Sequence, residues 1–326
     1  MNPTRKHKLK YKQKEQFFIQ TLFFPFFGGN NMNQTKQTNL FALIFFIFFI
    51  VSGQLLYLLP VMQEIPYVWF SCIVQIVYCT IPIIGYFIWT KKNPKEVFRL
   101  YPLGWKNLLL IIAFGFAIQP LMRFLSFFTS MFFPNVAQEY ADALEGTGFV
   151  ATLITMAILP ALLEELSLRG VFLSGYRRLG TWKAIFCTAL LFGFLHMNPQ
   201  QFPYAFFAGL FFCFLVERTG SIWASIIPHF IINATNVISM FLPISDEITA
   251  MELPGNTTLL LYTGLSAFLS LPFLGLILFA FLKTNPVSNP YTPKNGTAER
   301  FLSLPILGVF TLFIIFGIVP YLSYLF

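Results

Sequence analysis

The feature that most constrains this fold is a series of nine long apolar runs separated by short polar segments. An α-helix needs about 20 apolar residues to cross the hydrocarbon of a bilayer. Lipid offers no partner for backbone N–H and C=O groups, and the runs lack the alternation of barrel strands, so each run is predicted to be a helix. The predicted spans are 40–60, 67–90, 105–133, 149–174, 182–197, 202–217, 221–243, 257–282 and 301–326.

The composition agrees with a membrane protein and argues against a soluble one. The chain is 56% hydrophobic and only 10% charged, whereas soluble domains carry about 25% charged residues. The fifth and sixth runs are short, so they could also form one hairpin. The sequence therefore predicts an all-α, polytopic transmembrane helical bundle of about eight to nine spans.

The charges predict how the chain is oriented in the membrane. The loops at 61–66, 134–148 and 244–256 contain acidic residues and no Lys or Arg, while basic residues cluster in the alternate segments. By the positive-inside rule, this pattern predicts a multi-pass protein of the cell membrane with its N-terminus in the cytoplasm. The net charge of +8 is then explained by topology and contact with membrane lipids. No nucleic-acid partner is predicted.

Three regions are predicted along the chain. Residues 1–39 form a basic, Phe-rich N-terminal tail. The tail either lies on the cytoplasmic leaflet or is not translated, since Met32 is an alternative start. Residues 40–283 form the transmembrane domain, and residues 284–326 form a polar loop followed by an accessory C-terminal span.

The stretch ALLEELSLRG places three charged residues inside the fourth apolar run. Glu165 and Arg169 are four residues apart and share a helix face, so they are predicted to pair. Glu164 points about 100° away and has no local cation, which makes it the candidate base. Pro160 is expected to interrupt the helix just before them. A Glu–Arg pair that only fixes helix packing remains an alternative.

Two further motifs place histidines in apolar helices. FGFLH contains Phe192 and His196 at a four-residue spacing, and HFIIN contains His229 and Asn233 at the same spacing. A His and an Asn on one face either hydrogen-bond a neighbouring helix or donate to a developing oxyanion. The segment that follows His196 contains polar residues predicted to line a wet cavity: Asn198, Gln200 and Gln201.

EExxxR, FxxxH and HxxxN occur in this order on the fourth, fifth and seventh predicted spans. In order and spacing they resemble the motifs of the CPBP family, the Abi-type group of CAAX prenyl endopeptidases and bacteriocin-processing proteins. The resemblance covers roughly 149–241 and neither the first 39 residues nor the last span. It implies a type II CAAX-protease-like fold, with 40–283 acting as the domain of an intramembrane endopeptidase.

The resemblance also implies a role for each matching position. Glu164 corresponds to the general base, and His196 corresponds to the histidine that helps to activate water. His229 and Asn233 correspond to an oxyanion hole. The two remaining motif residues are implied to be positioning groups: Glu165 and Arg169.

Cofactor and substrate are less constrained by the sequence. A metal-free glutamate mechanism is favoured, because no HExxH motif is present. The alternative is a metalloendopeptidase with zinc on Glu164, His196 and His229.

The expected substrate is a hydrophobic or lipid-linked peptide or protein, as in CAAX-type processing or maturation of exported, bacteriocin-like peptides. A non-enzymatic regulator or immunity protein of the same fold, or a transporter, remains an alternative.

Overall fold

A computed structural model describes residues 32–242, 255–286 and 299–324. This part of the chain is helical and contains no strand. Eight of its helices are long and apolar enough to cross a membrane, and a ninth, α5, is apolar but shorter. The predicted all-α, multi-pass bundle is thereby confirmed. The helices are α1 Gln34–Tyr57, α2 Tyr67–Thr90, α3 Trp105–Ser130, α4 Phe149–Leu179, α5 Thr181–Leu195, α6 Phe202–Thr219, α7 Trp223–Phe241, α8 Asn256–Thr284 and α9 Leu304–Tyr324.

The first helix begins earlier than its hydropathy indicates. The side chain of Asn33 caps α1 by accepting a hydrogen bond from the Lys36 backbone N–H at 2.9 Å. The polar first turns are then held by tertiary contacts, such as Asn39 Nδ2 to the Phe301 carbonyl at 2.8 Å. The predicted boundary at residue 39 therefore falls inside α1. The rest of the predicted tail, 1–31, lies outside the described residues.

One end of the bundle is basic and closely tied together, and we call it the basic end. Glu217, near the end of α6, accepts hydrogen bonds from Arg99 and from Arg177, the latter at 3.1 Å. The Arg99 carbonyl also accepts the backbone N–H of Ile222 at 3.2 Å. These contacts join the connections before α3 and α7 to the ends of α4 and α6. The basic residues of these and adjoining segments are Lys36, Lys91, Lys92, Lys95, Arg99, Lys106, Arg177, Arg178, Lys183, Arg218, Lys283 and Arg300.

Helix α4 is not a regular α-helix. Two π-helical segments, Ile154–Ile158 and Leu166–Phe172, flank the α-helical segment Leu159–Glu165. Pro160 has no backbone N–H to donate, so the ladder widens next to it, as its position predicts. Gln75 of α2 donates to the carbonyl of Thr155 at 3.1 Å. This contact ties the interrupted part of α4 to α2. It thereby sets how the segment that contains Glu164 and Glu165 is rotated about the helix axis.

The C-terminal helix packs into the core of the bundle. Ile306 and Val309 of α9 are fully buried. The Phe313 ring lies 4.4 Å from the Phe194 ring of α5 and 5.6 Å from the Phe202 ring of α6, centroid to centroid. The predicted accessory span therefore supports the helix that ends at His196. The polar loop before it is described only up to residue 286 and from residue 299.

Candidate active site

Glu165 lies at the centre of a buried ionic cluster. Its Oε1 atom accepts from Arg169 Nη1 at 2.9 Å and from His229 Nδ1 at 2.8 Å. The side chains of Glu165 and Arg169 are completely buried. Arg169 comes from one turn further along α4, whereas His229 comes from α7. The predicted Glu165–Arg169 pair is present, and it extends across helices to a histidine that sequence spacing did not link to it.

Two aromatic rings allow the Arg169 guanidinium to be buried. Its central carbon lies 4.3 Å from the ring centroid of Phe192 and 5.2 Å from that of Phe212. The His229 ring stacks on Phe212 at 5.7 Å with an interplanar angle of 30°. A weakly hydrated, planar guanidinium is well suited to such a sandwich. Phe192 of α5 and Phe212 of α6 therefore fix the positions of both Arg169 and His229.

Glu164 faces a different environment from its neighbour. Its side chain is 14% exposed, and its Oε2 atom lies 4.0 Å from His229 Nε2. It forms no hydrogen bond with another protein group in the described part of the chain, whereas Glu165 accepts two. The cluster thus contains two carboxylates, only one of which is held by Arg169.

His196 lies at the end of helix α5, next to Phe192. Its Nδ1 atom lies 3.0 Å from the Phe192 carbonyl oxygen, and the two rings are 5.1 Å apart. A carbonyl oxygen only accepts, so Nδ1–H donates and Nε2 retains its lone pair in the neutral ring. His229 likewise donates through Nδ1–H to Glu165, and its Nε2 donates as well only when the ring carries both protons. In both rings, Nε2 is the nitrogen left for chemistry.

The segment after His196 is buried rather than wet. Asn198 Oδ1 accepts the backbone N–H groups of Gln200 and Gln201 at 2.7 and 3.0 Å. Gln200 is fully buried, and its carbonyl accepts from Thr129 Oγ1 at 2.7 Å. Its side chain donates to the Ser126 carbonyl at 3.0 Å. The predicted wet cavity is wrong for Asn198 and Gln200, because both are buried. Asn198 binds the backbone of its own turn, and α3 supplies the partners of Gln200. Gln201 is half-buried.

The structure joins the six predicted site residues to different extents. Glu164, Glu165, Arg169 and His229 form one cluster within 4.0 Å contacts. His196 is connected to this cluster through Phe192. Asn233 follows His229 by one turn of α7, is half-buried, and has no hydrogen bond to another described group.

Two aromatic neighbours of the site were not predicted. Phe212 contacts both Arg169 and His229, and the Tyr204 ring lies 6.3 Å from the His196 ring. Both belong to α6, which carries none of the three motifs. Among 43 phenylalanines, no spacing signal distinguishes Phe212 from residues that face lipid.

An all-helical membrane bundle with two adjacent carboxylates, one buried and one partly exposed, and two histidines has the features expected of an intramembrane protease. Residues 146–235 match the family model described as Type II CAAX prenyl endopeptidase Rce1-like. The match is consistent with the CPBP family, and it confirms the resemblance carried by the three motifs. All six predicted site residues lie inside the matched segment. Searches of curated proteins and of solved structures find no match to the chain.

A zinc site on Glu164, His196 and His229 would require all three side chains to reach one metal ion. The Nε2 atoms of His196 and His229 and the carboxylate of Glu164 are chemically suitable zinc ligands. In the described ranges, however, no group of three or more His, Cys, Asp or Glu side chains is placed to hold a metal ion. As placed, the predicted alternative ligands Glu164, His196 and His229 do not fit a zinc site.

Proposed function

We propose that this protein is an intramembrane endopeptidase that hydrolyses a peptide bond in a membrane-associated protein or peptide. The observation that carries the proposal is the division between the two carboxylates. Glu165 is held by Arg169 and His229, whereas Glu164 lies 4.0 Å from His229 Nε2 without a hydrogen bond to any described protein group. A free carboxylate beside fixed imidazoles suits a general base.

In the proposed reaction, water is the nucleophile. Glu164 removes a proton from the water, and His196 assists through the lone pair on Nε2. The resulting hydroxide attacks the carbonyl carbon of the scissile amide. The tetrahedral intermediate then collapses, its C–N bond breaks, and Glu164 returns the proton to the leaving amine. No covalent bond forms between the enzyme and the substrate, so no nucleophilic Ser or Cys is required.

The oxyanion of the tetrahedral intermediate is assigned to two donors on α7. His229 donates through Nε2–H, and Asn233 donates through its side-chain amide. Because Nδ1–H of His229 already donates to Glu165 at 2.8 Å, the ring donates from both nitrogens only when it carries both protons. The carboxylate of Glu165 compensates this positive charge, and Arg169 compensates Glu165. Glu165 and Arg169 thus act as positioning residues.

The proposed location is the cell membrane, with the N-terminus and the basic end on the cytoplasmic side. The support is the concentration of Lys and Arg at one end of the bundle, as the positive-inside rule describes. The proposed substrates are hydrophobic or lipid-linked peptides and proteins, of the CAAX type or of the exported, bacteriocin-like type. The family match supports the CAAX type, and the resemblance of the three motifs supports the bacteriocin-like type. The enclosure of the site by apolar helices supports a hydrophobic substrate in both cases.

Comparative peptidomics tests the proposed function without requiring an identified substrate. Membranes and medium from cells with the wild-type protein are compared with those from cells with Glu164→Gln. The matched control is Glu139→Gln, which makes the same change at an exposed glutamate. We expect specific peptide termini that disappear in Glu164→Gln and persist in the control.

Identical peptide profiles in wild type and Glu164→Gln, with both proteins folded in the membrane, would refute the enzyme. That result would favour a non-enzymatic regulator or immunity protein. Loss of proton-coupled uptake with an unchanged peptide profile would favour a transporter.

A further inference from the structure

A groove lies at the basic end of the bundle, between the start of α5 and the segment that leads into α9. It has a volume of about 570 Å³ and an apolar lining with charged residues at its rim. Trp182 and Phe186 of α5 line it on one side, and Leu302 lines it on the other. Two basic side chains, Lys183 and Arg300, also line this groove.

A second groove runs along the other side of the same helix. It has a volume of about 550 Å³, lies between α5, α6 and α8, and is lined by apolar side chains that include Phe214 and Leu278. Trp182 and Phe186 line this groove as well. These two side chains are 69% and 53% exposed, so they form a ridge with one apolar groove on each side.

The charge at the rim of the first groove is positive. Its only acid among the described lining residues, Glu299, is already engaged by other groups. The carboxylate accepts from the Thr35 backbone N–H at 3.1 Å and from the Thr35 hydroxyl, and it lies 3.9 Å from Arg178. Lys183 and Arg300 are exposed and have no anionic partner in the described ranges. Two unpaired cations are therefore present at the rim of the first groove.

The two apolar grooves and the two cations together indicate what kind of molecule would bind here. Two apolar grooves on either side of one ridge match the two acyl chains of a glycerophospholipid. The two cations at the rim of the first groove, Lys183 on α5 and Arg300 before α9, match a phosphate whose charge no ammonium group offsets. Basic pockets between membrane helices bind anionic headgroups in this way, and a tryptophan at the headgroup level is typical of a membrane interface.

We propose that this double groove is a binding site for an anionic glycerophospholipid of the leaflet at the basic end. The headgroup phosphate lies between Lys183 and Arg300, and the acyl chains lie on the two sides of the Trp182–Phe186 ridge. The site is separate from the cluster around Glu165 and does not depend on peptidase activity.

The proposal is tested by titrating the purified full-length protein with phosphatidylglycerol or phosphatidylcholine and counting bound lipids by native mass spectrometry. The test variant is the double substitution Lys183→Gln with Arg300→Gln. The matched control is Lys95→Gln with Lys106→Gln, which removes the same charge from exposed positions at the same end. The wild-type protein should bind one phosphatidylglycerol more tightly than any phosphatidylcholine.

The test variant should lose about 30-fold in affinity for phosphatidylglycerol, and the control should retain it. Thermal unfolding of both double variants checks that the bundle is intact. If the test and control variants lost affinity for phosphatidylglycerol equally, the binding would depend on the general surface charge. That result would overturn the site. Unchanged binding in the test variant would overturn it as well. Displacement of the lipid by inorganic phosphate would overturn the role of the acyl chains.

Discussion

The buried pair of Glu165 and Arg169 allows the sharpest prediction on stability. At the observed 2.9 Å separation, two unit charges attract each other by about 6 kcal/mol at an effective dielectric constant of about 20. Burial offsets much of this attraction, but removing one partner leaves an uncompensated charge and costs about 3–5 kcal/mol. We therefore expect Arg169→Met to lower the free energy of unfolding by about 3–5 kcal/mol.

A double variant separates the charge from the packing. Glu165→Gln combined with Arg169→Met removes both charges, and the new amide oxygen still accepts the Nδ1–H of His229. Replacing a buried ion pair with neutral groups is often close to neutral for stability, so most of the loss should be recovered. The free energy of unfolding is measured by denaturant titration in mixed micelles.

Arg123→Met provides the matched control for this experiment. Arg123 is an exposed arginine in α3 and has no ion pair in the described ranges, so its substitution leaves no partner uncompensated and should not lower the free energy of unfolding. If Arg169→Met costs no more than Arg123→Met, the cluster is not a compensated buried pair. A double variant no more stable than Arg169→Met alone would refute the electrostatic explanation.

Three further predictions concern catalysis and packing. In cleavage kinetics, Asn233→Ala should lower kcat by about 10²–10³-fold with little change in KM, because a transition-state donor is lost. In unfolding titrations, Gly170→Ala should cost about 1–3 kcal/mol, because its Cβ would lie 2.5 Å from Phe98 Cδ1. Gly85→Ala, with nothing within 4 Å of the new Cβ, should change stability by about 0.5 kcal/mol or less. In the same cleavage assay, a chelator should leave the rate unchanged.

Each of these predictions has a distinct contrary result. An equal rise in KM without a change in kcat would make Asn233 a substrate-binding residue. Equal stabilities of the two alanine variants would show that Phe98 adapts at no cost. Inhibition by a chelator that added zinc reverses would replace the glutamate mechanism with a metal-dependent one.

The sequence predicted those features that depend on local periodicity. Helices follow from apolar runs in lipid, and the Glu165–Arg169 pair follows from a four-residue spacing on one helix. The interruption of α4 follows from Pro160, since proline has no N–H to donate. Five of the six candidate residues followed from the rarity of ionisable groups inside apolar runs. Asn233 followed from its four-residue spacing after His229 and from the resemblance, and the family match covers all six.

Features that depend on how helices are rotated against each other could not be predicted. The hydrogen bond from His229 to Glu165 joins residues 64 positions apart, and no spacing rule fixes which face of α7 meets α4. Phe212 was likewise indistinguishable from lipid-facing phenylalanines. Asn198 and Gln200 were expected to be wet because their span is short. Instead, Asn198 accepts backbone N–H groups of its own turn, and hydrogen bonds to α3 keep Gln200 buried.

The central claim is that Glu164 is the general base of a peptidase. Its most direct test is cleavage of a membrane-embedded peptide library by the purified protein reconstituted into vesicles. Glu164→Gln should reduce the cleavage rate by about 10²–10⁴-fold, while Glu139→Gln retains the wild-type rate and both variants unfold like the wild type. A folded Glu164→Gln protein that cleaves as fast as Glu139→Gln would contradict the mechanism.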